Sequence, residues 1–106
     1  MSAVPIEIGP AELKSMLGGV QLLDCREPWE LDIVKLDGSV NIPMNEIPDR
    51  LGELDASQPL VVMCHHGGRS LMVARWLRGN GFPQAQSLEG GIEVWAAEID
   101  PSLPRY

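Results

Sequence analysis

A thiol, two imidazoles, two glycines, a guanidinium and a hydroxyl follow one another in Cys64-His65-His66-Gly67-Gly68-Arg69-Ser70. The cysteine is the strong nucleophile of the group, and it acts as its anion. Gly67 and Gly68 allow the backbone to curl until successive N–H groups face one point, and such a cradle favours an anion. A helix that starts directly after them adds the positive end of its dipole. Arg69 contributes a permanent charge suited to two-point contact with an oxyanion. Cys64 is therefore the candidate nucleophile. The bare pattern serves disulfide exchange, phosphoryl transfer and sulfur transfer equally.

Charge is distributed unevenly around this segment. The chain carries fifteen acidic and eight basic residues, a formal charge of −7, which argues against nucleic acid as a partner. Yet Ala56 to Leu88 contains no Asp or Glu, while Arg69, Arg75, Arg78, His65 and His66 all fall inside it. One reading is chance together with a solvated helix face. The other is a locally positive site for a small anion or a thiolate. A metal centre is not expected, because Cys64, His65 and His66 are consecutive and zinc ligands are normally separated by spacers. Cys25 and Cys64 each close a strand-like apolar run, which suits two reduced thiols and not a disulfide framework. Cys25 on its own reads as a small buried hydrophobe.

The purest apolar run, Leu60-Val61-Val62-Met63-Cys64, falls far short of the roughly 20 residues a membrane-spanning helix requires. Met1-Ser2-Ala3-Val4-Pro5 has neither a basic segment nor an apolar core of signal-peptide length, so a cytoplasmic location is expected, with no membrane partner. The 106 residues suit a single domain over 1–106.

The elements that must position Cys64 alternate between strand and helix. Ile6-Glu7-Ile8 predicts a short strand, and Pro10 to Leu17 a helix with Leu13, Met16 and Leu17 on one face, stopped by Gly18-Gly19. Val20 to Cys25 predicts a buried strand, Pro28 to Ile33 a short helix, and Val40-Asn41-Ile42 a brief strand. Asn45 to Leu54 is expected to be helical, with Ile47, Leu51 and Leu54 on one side. Leu60 to Met63 is apolar on both faces, as in a covered parallel sheet. Ser70 to Arg78 predicts a helix with Leu71, Ala74 and Leu77 inward. Gln84 to Leu88 and Ile92 to Ile99 complete the series. The expectation is an α/β fold: an open, mainly parallel five-stranded sheet with helices on both faces. Cys64 then lies at the carboxyl end of a strand, where such sheets bind ligands.

Four segments resemble the rhodanese-like sulfurtransferases, in that family's order. Leu22-Leu23-Asp24-Cys25-Arg26-Glu27-Pro28-Trp29-Glu30 is similar to its Asp-x-Arg-Glu-x-x-Glu signature, and Gly38-Ser39-Val40-Asn41-Ile42-Pro43 to its Gly-Ala-x-Asn-Ile-Pro segment. Cys64 to Ser70 resembles the active-site loop, and Gly90-Gly91-Ile92-Glu93-Val94-Trp95 the Gly-Gly-x-x-x-Trp ending. The resemblance implies a rhodanese-like fold and sulfur transfer through a Cys64 persulfide, from a small anionic donor such as thiosulfate to cyanide or a thiol, including a protein thiol. It implies no cofactor. By analogy, the loop formed by His65, His66, Gly67, Gly68 and Arg69 binds the substrate, and Arg69 attracts thiosulfate. The loop is Cys-x4-Arg, whereas the phosphatases and arsenate reductases on this fold need Cys-x5-Arg, so its length favours sulfur over phosphate.

Two alternatives remain: a sulfur-carrier module charged by a partner protein, and an arsenate reductase or phosphatase-like enzyme. The chain departs from the family at Val34-Lys35-Leu36, where relatives commonly have Gly-His-Ile, and at Cys25, where an aliphatic residue is commoner. Asp24 and Arg26 are expected to support loops through charge-assisted hydrogen bonds. His65 and His66 either carry partial positive charge, donate a proton to the leaving sulfite, or shape the rim. Trp76 and Trp95 are expected in the core, and Trp29 nearer the site.

Overall fold

The computed structural model describes residues 4–106; of the Met1–Pro5 segment, Met1, Ser2 and Ala3 lie outside them. The elements follow in the order β1 (Glu7–Ile8), α1 (Pro10–Met16), β2 (Gln21–Asp24), α2 (Pro28–Ile33), β3 (Val40–Asn41), two 3-10 helices (Met44–Asp49 and Leu51–Glu53), β4 (Leu60–Met63), α3 (Gly68–Arg78), β5 (Ala85–Leu88) and α4 (Gly91–Glu98). The strands form a five-stranded sheet in the order β1-β5-β4-β2-β3, and every pairing is parallel. The expected α/β architecture is therefore the one that forms.

β4 takes the centre because all four of its residues are apolar and can be buried from both sides. Its alternation decides what each face holds. Leu60, Val62 and Cys64 join Leu23 and Cys25 in a cluster completed by Val73, Ala74 and Leu77 of α3 and by Ile47. Val61 and Met63 point the other way, into a cluster with Leu13 of α1, Leu22, and Ile92 and Trp95 of α4. A period of two thus places Cys64 and Cys25 on the α3 face. After β1 at one edge, winding runs from β2 outward to β3, then restarts at β4 and runs outward to β5, which pairs with β1. The reversal falls between β2 and β4, which is where ligands collect in sheets of this kind.

Several expectations are revised. The Asn45–Leu54 segment is not an α-helix. Pro48 lies inside it, has no N–H to donate and clashes with the carbonyl four residues back, so the chain tightens into 3-10 turns. Leu17 lies beyond the end of α1 and is 48% exposed, since the chain turns away there into Gly18 at φ +92°. The buried stripe of α3 is Ser70, Val73, Ala74 and Leu77, which leaves Leu71 half-buried. Trp76 stands beside that stripe and is 38% exposed, while Trp95 is buried as expected. No helix among the described residues is long and apolar enough to cross a membrane.

Candidate active site

β4 delivers Cys64 to the switch point, and four residues later the chain enters α3. Gly67 caps that helix at φ +101°, a left-handed conformation that side chains resist. A Cβ there would also come within 3.1 Å of the Gly90 nitrogen. The turn brings two first-turn N–H groups, which have no partner within the helix, onto the sulfur. Gly67 donates to Cys64 Sγ at 3.0 Å and Ser70 at 3.3 Å. The Ser70 hydroxyl lies 3.3 Å from Sγ and 2.7 Å from the hydroxyl of Ser87 on β5. Both serines are fully buried. Sulfur at this position thus receives two backbone N–H donors able to stabilise negative charge.

The opposite side of the loop is held by α4. Ile92 N–H donates to the Cys64 carbonyl at 2.9 Å and Glu93 N–H to the His65 carbonyl at 3.1 Å. Gly91 permits this approach, for its Cβ would sit 2.5 Å from the Cys64 oxygen and 2.4 Å from the His65 oxygen. All described peptides are trans, so each N–H lies opposite its carbonyl. With the carbonyls of Cys64 and His65 directed at α4, the N–H groups of His65 and His66 are directed away from it.

Arg69 is not free. Its two terminal nitrogens donate to the two oxygens of Glu30, at 2.7 and 2.9 Å. The expectation that Arg69 offers two-point contact to an oxyanion is therefore revised: a carboxylate from α2 already holds its two terminal nitrogens. The acid-free window of the sequence is not acid-free in space. Arg69 first, then the Tyr106 hydroxyl and the Glu27 N–H, hold the Glu30 carboxyl down at about 2 against its burial. Glu30 belongs to a longer chain of contacts. Tyr106 donates to it at 2.7 Å and accepts from Arg26 at 2.9 Å, while Arg26 grips Asp24 at 2.7 Å with both side chains fully buried. Arg26 also donates to the Val34 carbonyl, and Asn41 ties the Asp24 and Arg26 carbonyls together. Asp24 and Arg26 thus bond to one another and to neighbouring segments of the chain.

The Tyr106 ring stacks on His65 at 3.8 Å and meets the edge of Trp29 at 6.1 Å, which brings Trp29 near the rim. Burial first, and then the neighbouring His66, lower the affinity of His65 for a proton. Positive charge at His65 is therefore disfavoured, contrary to that expectation. His65, His66 and Glu93 bring one potential ligand atom each to within 4.8 Å. The two imidazoles stack at 3.8 Å with a 30° tilt, so their in-plane lone pairs run side by side, and Glu93 is engaged by Arg105. Cys25 is free and buried. Burial above all pushes its thiol up to about 12, with Cys64 and Asp24 adding to the effect.

An open parallel sheet with a cysteine loop at its switch point defines a class of α/β proteins that present sulfur to a cradle of amides. Residues 9–98 match the rhodanese-like domain, and the chain belongs to that family. It is similar to the thiosulfate sulfurtransferase GlpE of Pseudomonas syringae pv. syringae, with 38% identity over 77 residues covering 73% of each chain. It is also 38% identical over 90 residues to the chloroplastic rhodanese-like/PpiC domain-containing protein 12 of Arabidopsis thaliana, covering 81% of this chain and 30% of that longer protein. A rhodanese-related protein from Thermoplasma volcanium shares the fold with a TM-score of 0.84 and 32% identity, over 90% of this chain and 94% of the other.

Glu30, Ser70, Ser87, Gly91 and Tyr106 are contacts that sequence reasoning did not single out. Glu30 and Gly91 stand inside quoted motifs and Ser70 closes the loop, but no motif or spacing signal marks Ser87 or Tyr106.

Two outcomes follow from these contacts. Gly91→Ala is expected to lower unfolding free energy by about 2–4 kcal/mol, from two lost hydrogen bonds and a forced positive φ, read as a lower urea midpoint. Glu30 has a folded pKa below its unfolded one, so its stabilisation is full above about 4.5 and fades as the pH falls towards about 2. Glu30→Gln should therefore be less stable than the parent at neutral pH, with the gap narrowing through that window in urea melts.

Proposed function

We propose that the protein is a sulfurtransferase that carries sulfane sulfur as a persulfide on Cys64. The observation that carries this is the pair of N–H groups from Gly67 and Ser70 on Cys64 Sγ, at the start of α3. The Cys64 thiolate attacks the outer sulfur of an anionic donor such as thiosulfate. The donor's S–S bond breaks, and sulfite leaves with the electron pair. The outer sulfur of the persulfide then occupies the space lined by loop amides from His65 to Arg69. An acceptor thiolate or cyanide takes that sulfur, and the electron pair of the second S–S bond returns to Cys64. Similarity to a thiosulfate sulfurtransferase and the Cys-x4-Arg loop support sulfur over phosphate. Residues 1–106 act as one domain in this scheme, with no cofactor.

Arg69 enters as a partly neutralised charge. Because Glu30 satisfies its bidentate edge, attraction for a free dianion is weaker than the sequence implies. This favours keeping a second scheme in view, in which a partner protein charges Cys64 directly and thiosulfate turnover is incidental.

Intact mass is expected to rise by one sulfur atom after incubation with thiosulfate, with the addition mapped to Cys64. Cys64→Ser should stay folded and gain nothing. Charging by a sulfur-donating enzyme but not by thiosulfate would establish the carrier scheme instead. Glu30→Gln frees Arg69 while keeping a helix-capping side chain. It should lower KM for thiosulfate on the order of fivefold, as about 1 kcal/mol of restored attraction would do, whereas Arg69→Ala should raise it; an unchanged KM in both would assign donor binding to the amides alone.

A further inference from the structure

Two imidazoles of the Cys64 loop meet a carboxylate carried by α4. His65, His66 and Glu93 each bring one potential ligand atom, and the three atoms lie within 4.8 Å of one another. Their positions are held by contacts already described. Glu93 N–H donates to the His65 carbonyl at 3.1 Å, so these two residues are anchored to each other at the main chain. The His65 ring lies against Tyr106 and against His66, each at 3.8 Å. His66 is exposed, which leaves its ring free to rotate. Three ligands on one tetrahedral ion, each about 2.0–2.1 Å from it, stand about 3.4 Å apart. Side-chain rotation therefore has to close at most about 1.4 Å from the observed spread.

The consecutive run Cys64-His65-His66 argued against a metal centre in the sequence. The fold changes the donor set. Cys64 is 1% exposed, and its sulfur is turned to the amides of Gly67 and Ser70. The third donor comes instead from α4, a distant segment whose approach Gly91 permits. Two imidazoles and one carboxylate suit borderline divalent ions, and the same set holds zinc in hydrolytic enzymes. One competitor is present: Arg105 pairs with Glu93, but its side chain is 55% exposed. An exposed ion pair contributes little, so a dication can displace it. The charge of −7 on the chain favours a cation over an anion here.

We propose that His65, His66 and Glu93 form a binding site for a divalent transition ion of the zinc type, which joins the Cys64 loop to α4. Three protein ligands leave a fourth position for water. The inference goes beyond sulfur transfer and does not rest on it, because the thiol is not among the ligands.

The test titrates untagged protein with zinc chloride by calorimetry. One ion should bind per chain, and the thermal midpoint should rise with zinc concentration, since the unfolded chain lacks the assembled site. Glu93→Gln keeps the main-chain bond to His65, and His66→Ala changes an exposed side chain, so both variants should fold. Each should weaken binding by about tenfold or more, as loss of even a supporting partner does at metal sites. Arg105→Ala, which frees the carboxylate, should tighten binding on the order of threefold, the weight of a weak surface ion pair. Cys64→Ser should bind zinc as the parent does, and cobalt(II) should show no thiolate charge-transfer band. Absence of saturable binding in the parent overturns the proposal, and so does binding that survives both Glu93→Gln and His66→Ala. Binding lost in Cys64→Ser, or a thiolate band with cobalt, also overturns it by assigning the metal to the thiol.

Discussion

The capture of two carbonyls, those of Cys64 and His65, by the first free N–H groups of α4 shapes the site more than any side chain does. Ile92 and Glu93 make these bonds at 2.9 and 3.1 Å, and each satisfies groups on both sides: orphan donors of a helix start and acceptors of a loop with no strand partner. Planar trans peptides then leave the loop little choice about where its remaining N–H groups face. Gly91 is the steric condition for this arrangement, because any Cβ would overlap both oxygens. Gly67 is the conformational condition, because α3 must start from a left-handed turn. The sulfur of Cys64 receives the amides that result.

A second constraint comes from buried charge. Asp24 and Arg26 are fully enclosed, a situation tolerated only when every polar atom finds a partner. The partners continue outward through Tyr106 to Glu30 and Arg69, and no buried side-chain nitrogen or oxygen among the described residues is left unsatisfied. The network holds two arginines and two acids, so its charges balance. It links the end of β2, the start of α2, Tyr106 and the Cys64 loop in one set of hydrogen bonds. Its chemical effect on the loop is to convert Arg69 from an open anion site into a braced side chain.

Together these constraints divide the surroundings of Cys64 by polarity. The amides of Gly67 and Ser70 and the Ser70 hydroxyl meet the sulfur from the α3 start, and Ser87 of β5 backs that hydroxyl. A charge-balanced network closes the α2 side. Met44 and Met72 line an apolar groove between α3 and the Met44–Asp49 turn, and Cys64 itself is 1% exposed.

Much of the fold was open to inference from the order of residues. Period-two burial in Leu60–Met63, the helix stops at Gly18-Gly19, and the proline-started helix at Pro28 are local effects of backbone and side-chain sterics, and each placed its element within a few residues. Cys64, its glycines and the supporting Asp24–Arg26 pair were equally local. The Met44–Asp49 turn was misjudged because the spacing of Ile47, Leu51 and Leu54 resembles a helical face while Pro48 prevents one. What the chain order could not carry were contacts between distant segments. Glu30 lies 39 positions from Arg69 and Tyr106 lies 76 from Glu30, and only the folded sheet brings them together. By itself, then, the sequence determined the candidate nucleophile, its glycine turn and the layer in which they sit, since those follow from neighbouring residues. The tertiary structure alone decided that Arg69 is paired, that His65 is stacked, and that Met44, Met72 and Trp76 line one apolar groove, because charge and burial depend on what the rest of the chain places nearby.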